Sequence, residues 1–300
     1  MRLVRDTAYR LTLATRYPAY RRRRAGAAIF AFHNVAPDDG VSERSDRSLH
    51  ITSSDFQDYL AVIADGHSVV PLAEIADRVR QRRSVDGLAA LTFDDAYHGA
   101  LTHGVRAMAR RGVPSSVFVV SDAAAAPSPF WWDLLGTDGA VQAPVRERAL
   151  HVLRGDRDAV LAHYPVKDHE VPAALMPASW REVRAAVRAG CTVGSHTVSH
   201  RNLAALDAAA LREELERSRA EIGAALGTAP TEISYPYGLH NDAVIEAARY
   251  AGYQTGVTMR FALATGDDDP LALPRISVPA GISIPALECW AAGIRLRGAS

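Results

Sequence analysis

Short apolar, β-rich runs alternate with amphipathic stretches along most of the chain, the pattern of a parallel sheet wrapped in helices. Strands are predicted at residues 28–32 (AIFAF), 68–70, 88–93 (LAALTF), 115–120 (SSVFVV), 191–195 (CTVGS), 233–235, 253–257 and 273–278. The run at 88–93 is a continuous apolar stretch but for Thr92, as expected of a strand covered on both faces. Between the strands, Phe56, Tyr59, Leu60 and Ile63 share one helical face. So do Leu72, Ile75 and Val79, and Leu101, Val105 and Met108. Ser179 and Glu182 form a capping-box pair before a helix ended by Gly190; residues 207–226 read as a long helix ended by Gly227, and 241–251 as another. The rhythm breaks at 121–177, an alanine- and proline-containing stretch with the cluster Phe130-Trp131-Trp132 and two weak helical segments. It is read as an insertion after the fourth or fifth strand. Seven or eight βα units predict a (β/α) barrel spanning 28–300, with its chemistry at the C-terminal strand ends.

With 48% hydrophobic and 23% charged residues, wholesale disorder is excluded. Formal charge is zero, but Arg2, Arg5, Arg10, Arg16 and Arg21 to Arg24 stand against Asp6 alone near the start. Residues 1–27 are therefore set apart as a basic N-terminal arm. It is expected to be a solvated basic helix with a surface turn; the alternative is docking on an anionic membrane surface or glycan. Cys191 and Cys289 offer neither a disulfide framework nor a thiolate metal site. The apolar run 25–32 is too short to span a bilayer and lacks a secretory cleavage pattern, so a cytoplasmic or peripherally attached protein is expected. No nucleic-acid partner is expected.

Three segments carry candidate chemistry, each where a strand opens into a loop. Asp94 and Asp95 follow the strand at 88–93. Successive strand side chains oppose one another, so two adjacent carboxylates can share a site in different roles only if the chain turns there. His196 and His200, four apart, are expected on one side of a helical turn. With one aspartate they make a three-ligand set that leaves positions open for water and a substrate oxygen. In Ser234-Tyr235-Pro236-Tyr237-Gly238, the proline and glycine could hold the Tyr237 backbone N–H toward a developing oxyanion. Trp131 and Trp132 stand equally between a sugar-stacking wall and core packing, whereas Trp180 reads as core.

TFDDAY at 92–97, SHTVSH at 195–200 and SYPYG at 234–238 resemble, in this order, the leading motifs of the NodB-homology polysaccharide deacetylases, the carbohydrate esterase family 4 type. The resemblance implies a distorted barrel of seven or eight strands. It implies Asp94 as catalytic base, Asp95, His196 and His200 as metal ligands, and the Tyr237 N–H as oxyanion donor. Three departures stand out. The arginine that usually opens the third motif is absent, and Arg275 is the candidate replacement, grouped with Tyr237, Trp131 and Trp132 as substrate-facing. No histidine follows His240, so the usual C-terminal Leu-x-His acid is missing; His33, in Phe32-His33-Asn34-Val35, resembles a displaced version. Ala96 stands where a glycine is common.

The expected function is hydrolysis of N-acetyl groups from an amino-sugar glycan or oligosaccharide. A divalent metal, zinc ahead of cobalt or nickel, would activate water against the acetamide carbonyl. Deacylation or deformylation of a lipid-linked sugar, or hydrolysis of another non-peptide C–N bond such as a small cyclic amide, is the alternative within enzymes. From another class, the chain could be a noncatalytic glycan-binding module on a decayed scaffold.

Overall fold

The computed structural model describes residues 2–41, 45–164, 166 and 170–296. The remaining positions, which include Met1 of the basic arm and parts of the insertion, lie outside the described residues, as do the side chains of residues 2–5.

Among the described residues ten strands form two parallel sheets: β1 (Ala28–Phe32), β2 (Asn34–Ala36), β3 (His50–Thr52), β4 (Ser68–Val69), β5 (Leu88–Phe93), β6 (Ser116–Val119), β7 (Thr192–Ser195), β8 (Glu232–Ser234), β9 (Thr255–Val257) and β10 (Ile276–Ser277). The large sheet runs β10-β1-β5-β6-β7-β8-β9, with β4 beside the first residues of β5 and β6 beside its last. Leu273 bridges Val257 at one end of the sheet and Ile276 pairs Phe30 at the other, so the segment 273–277 brings the curled sheet back onto itself. This is the distorted (β/α) barrel with eight parallel strands, interrupted after β6, the fourth strand of the large sheet in chain order. The pair β2–β3 forms a separate two-stranded sheet. Three residues each are too few for periodicity to reveal, and the sequence reading missed them.

Alternation along the strands sorts side chains into two cores. Phe30, Phe32, Leu91, Phe93, Val117 and Val119 pack outward into the main helical layer. Ile29, Ala90, Phe118, Val257 and Leu273 form a second cluster. Because β6 and β9 are not neighbours in the sheet, this cluster is the inside of the curl. Thr92 and Asp94 continue the inward face of Ala90, so the strand itself delivers Asp94 to the mouth of the barrel.

Helix boundaries follow local chemistry. The capping box of Ser179 and Glu182 is formed at the start of Trp180–Arg188, and Asp207 caps Ala208–Leu226 through the N–H groups of Ala209 and Ala210. The stripe of Leu101 and Val105 is wound as a π-helix, Ala100–Val105, before continuing as Arg106–Arg110. Gly99 precedes it because a Cβ there would lie 2.4 Å from the Val35 carbonyl oxygen and 2.5 Å from Asn34 Oδ1. At the N-terminus, Arg2–Ala14 and Tyr17–Arg22 are helical. Tyr9 is buried, and its hydroxyl accepts from Trp290 Nε1 at 3.0 Å on the C-terminal helix Ile284–Trp290. Among the described residues, no helix is long and apolar enough to cross a membrane.

One interior carboxyl makes the fold pH-sensitive. Glu232, the first residue of β8, is 4% exposed, and its Oε2 has no partner among the described residues. Burial pushes it from 4.5 up to about 7, against weaker lowering by the Ser116 hydrogen bond and Arg80. A raised folded-state pKa means the folded protein binds this proton more tightly. Its contribution is complete below the unfolded value and is lost as pH rises through the folded one, about 3 kcal/mol over that window. Glu232→Gln should therefore flatten the fall in stability between acid and mildly alkaline pH, checked by urea unfolding at pH values on either side.

Candidate active site

The turn required for two adjacent aspartates is present in the backbone. Asp95 and Ala96 both adopt left-handed angles, with φ of 66° and 50°. The chain thus reverses directly after β5, and both carboxylates line one cavity at the barrel mouth. Ala96 occupies a conformation that glycine adopts without strain, which gives physical content to the glycine expected at this position. The turn is tied down by the end of the insertion: Ala178 N–H donates to the Ala96 carbonyl and His98 N–H to that of Met176.

His196 and His200 meet, but not on a helical turn as their spacing suggested. Residues 196–200 form a non-helical loop in which Thr197 and His200 have φ of 68° and 60°. The loop is wrapped around a buried carboxylate. Glu214, from helix Ala208–Leu226, accepts the Val198 and Ser199 N–H groups, each at 3.0 Å, and also the Ser199 hydroxyl. With two backbone donors satisfied by a side chain, the helical i to i+4 pattern is no longer needed. Glu214 was missed in the sequence. Its signal was an acidic residue one turn from Leu211 on the apolar stripe of its helix.

His196 Nδ1–H donates to the Ser234 carbonyl at 2.7 Å, which leaves Nε2 as a lone pair. Burial is the main cause holding His196 down at about 4, so the ring is neutral at neutral pH. Its Nε2 lies 3.1 Å from His200 Nε2 and 3.5 Å from Asp95 Oδ1; His200 Nε2 lies 3.1 Å from the same oxygen. Asp95 Oδ1 is buried and has no hydrogen-bond partner among the described residues. Ligand bonds of about 2.1 Å place adjacent donors of a tetrahedral site about 3.4 Å apart, so these three atoms fit one cation. Burial raises the Asp95 carboxyl, but His200 and His196 outweigh it and hold it below the ordinary carboxylate range.

Asp94 has a different environment. Arg275, fully buried inside the barrel, grips it bidentately: Nη1 donates to Oδ1 at 2.8 Å and Nη2 to Oδ2 at 2.7 Å. The guanidinium is fixed in turn by Thr92 Oγ1, Ser234 Oγ and the Thr258 carbonyl. Burial alone would raise the Asp94 carboxyl; Arg275, followed by His196, overrides it and holds the group well below the usual range. Arg275 was grouped with substrate-facing residues. Its contacts instead place it beneath Asp94, inside the barrel and absent from the cavity lining, because residue 275 enters on the strand segment that completes the curl.

The cavity encloses about 230 Å³ between Asp94, Asp95, His196, His200, His33, Tyr237 and Trp132, with Leu49, Leu150 and Met259 as apolar lining. His33 reaches it from the residue between β1 and β2. Tyr237 sits at φ 59°, its ring edge-on to His200 with centroids 4.5 Å apart. Trp131 is 1% exposed, and its Nε1 donates to the Tyr237 hydroxyl at 3.1 Å. Trp132 divides this cavity from a second one of about 290 Å³ that also reaches His200. Trp180 is half-buried against the main core.

A buried relay positions Trp132. Asn34 Nδ2 donates to His50 Nδ1 at 3.0 Å, which directs His50 Nε2–H to Asp133 Oδ1 at 2.8 Å. Asp133 Oδ2 accepts from the Tyr97 hydroxyl at 2.6 Å, whose oxygen accepts from Trp132 Nε1 at 2.7 Å. Phe130 stacks on the Trp132 ring with centroids 4.7 Å apart. His50 and Asp133 belong to none of the sequence motifs, Asn34 enters the sequence reading only as the neighbour of His33, and only the fold brings the three together.

Comparison with known proteins agrees with this geometry. The polysaccharide deacetylase family model matches residues 81–256. YxkH of Bacillus subtilis, a polysaccharide deacetylase by name, is 33% identical over 101 residues, 34% of this chain and 36% of its own length; the match thus spans about a third of that relative. Deacetylase PplD of Streptococcus pyogenes, solved with acetate, superposes with a TM-score of 0.61 at 15% identity, covering 87% of this chain and 95% of its own. IcaB from Ammonifex degensii also gives 0.61, at 20% identity over 89% and 97% of the two chains. At these identities the two structures establish the fold, while the family match covers more than half of the chain, including TFDDAY, SHTVSH and SYPYG. The chain belongs to the polysaccharide deacetylase family.

Proposed function

We propose that the protein is a metal-dependent amide hydrolase that removes N-acetyl groups from an amino-sugar glycan. Asp95, His196 and His200 hold one divalent cation, and the two-nitrogen, one-oxygen donor set suits zinc. When bound, the cation supplies Lewis acidity to the acetamide carbonyl and lowers the pKa of water. The observation that carries the reading is the division of labour between neighbouring carboxylates. Asp95 faces the imidazoles, while Asp94 is held apart by Arg275 with its remaining lone pairs free toward the cavity.

Asp94 takes the proton from the attacking water. Arg275 fixes the plane of its carboxylate, so the base needs no reorientation at the moment of transfer. The Tyr237 N–H, at the left-handed turn bordering the cavity, is assigned to the developing oxyanion. His33, across the cavity, is assigned to protonation of the departing amine. Trp132, with Leu150 and Leu49 nearby, offers an apolar wall to a pyranose face or acyl methyl. Glu214 acts one layer out, by shaping the loop that presents both imidazoles.

Acetate release from N-acetylated oligosaccharides, with and without chelator, is the direct test; release that persists unchanged after complete metal removal contradicts the proposal. Asp94→Asn should lose activity by a factor on the order of 10³ while keeping bound metal. Arg275→Met should lose about 100-fold in kcat with metal retained and Arg275→Lys should recover part of it, read by steady-state kinetics beside metal analysis. Glu214→Ala should weaken metal binding by about 10- to 100-fold, measured by competition with a chromophoric chelator.

A further inference from the structure

The N-terminal helices carry a feature that the barrel does not explain. Among the described residues six large hydrophobics are exposed, and three of them fall within ten positions: Leu11 at 66%, Tyr17 at 53% and Tyr20 at 63%. Before, between and after them stand the exposed Arg10, Arg16, Arg23 and Arg24; the single acid of the segment, Asp6, is paired with Arg10 at 3.2 Å. The inward side of the same helices is fixed. Tyr9 holds Trp290, Pro18 is buried, Arg21 Nε donates to the Ala292 carbonyl at 2.9 Å and Arg22 lies 3.7 Å from Glu288. The exposed residues are therefore presented to solvent from an anchored support. A solvated basic helix accounts for the arginines but not for a leucine and two tyrosines held in water beside them.

We propose that this face docks peripherally on an anionic lipid bilayer. Arginines flanking Leu and Tyr match the headgroup layer, where cations meet anionic lipid and amphipathic rings sit at the boundary. The face also has a direction. Backbone atoms of Arg22 and Arg23 lie beside Gly87, immediately before β5, whereas Asp94 immediately follows that strand. Six residues of strand put these ends about 20 Å apart. Docking at the foot of the barrel turns its mouth away from the bilayer. On the deacetylase reading, this gives access to glycan extending beyond the surface rather than to a sugar at the headgroup level.

The test is flotation with phosphatidylcholine vesicles, with or without about 30% phosphatidylglycerol. Wild type should float with the anionic vesicles alone and be released by high salt. Leu11→Ser with Tyr20→Ser, and separately Arg16→Glu with Arg23→Glu and Arg24→Glu, should each reduce binding about 10-fold. Unchanged melting curves would show that the variants are folded. Acetate release from a soluble oligosaccharide should be the same for free and vesicle-bound protein and in both variants. Failure to bind anionic vesicles, or binding insensitive to both variants, overturns the proposal. So does equally tight, salt-sensitive binding to a soluble anionic polysaccharide that ignores Leu11 and Tyr20. Loss of acetate release with vesicle binding intact would sink the deacetylase reading and leave the docking face standing.

Discussion

Three candidate ligand atoms, His196 Nε2, His200 Nε2 and Asp95 Oδ1, are held 3.1 to 3.5 Å apart at the wall of the barrel-mouth cavity. With His196 neutral and its Nδ1–H committed to Ser234, at most one ring proton, on His200 Nε2, stands among the three atoms. The surrounding structure holds these three atoms in an arrangement that could take a shared metal ion. Of the nine non-glycine residues with positive φ among the described residues, five belong to the loops that build the site: Asp95, Ala96, Thr197, His200 and Tyr237. Backbone strain of this kind persists where packing over-determines it, and here the over-determination has identifiable sources. Glu214 grips one loop, the end of the insertion pins a second, and Trp131 bonds the Tyr237 hydroxyl above the third.

The buried pair of Arg275 and Asp94 is a second constraint of the same type. Removing two charges from water is expensive, and the pair is sustained because every guanidinium nitrogen finds a partner. This arrangement weighs against a decayed scaffold kept only to bind glycan, since such a module has no use for an isolated carboxylate locked in one orientation beside a ligand set.

Much of this was legible in the chain. The strand 28–32 and the strand 88–93 were recovered with their observed limits, because strands buried on both faces give unbroken apolar runs. Asp94, Asp95, His196 and His200 were visible because each follows a strand and sits in a compact motif. The shape of the histidine loop was not. An i, i+4 spacing suggests a helical turn, and only the long-range contact with Glu214 shows why the backbone abandons it. Arg275 was found as a charge on a late strand, but whether it faced inward or outward depended on how the curl closes. The relay through Asn34, His50 and Asp133 joins residues about 100 positions apart and leaves no periodic signal of their contact.

The central claim is that one cation is held by Asp95, His196 and His200 while neighbouring Asp94 is spared. Titrating metal-free protein with Co²⁺ and following its visible spectrum tests this directly. The account predicts saturation at one equivalent per chain, with the same spectrum in Asp94→Asn and loss of the bound signal in Asp95→Asn and His200→Ala. Absence of stoichiometric binding, or loss of the signal in Asp94→Asn with retention in Asp95→Asn, would contradict it.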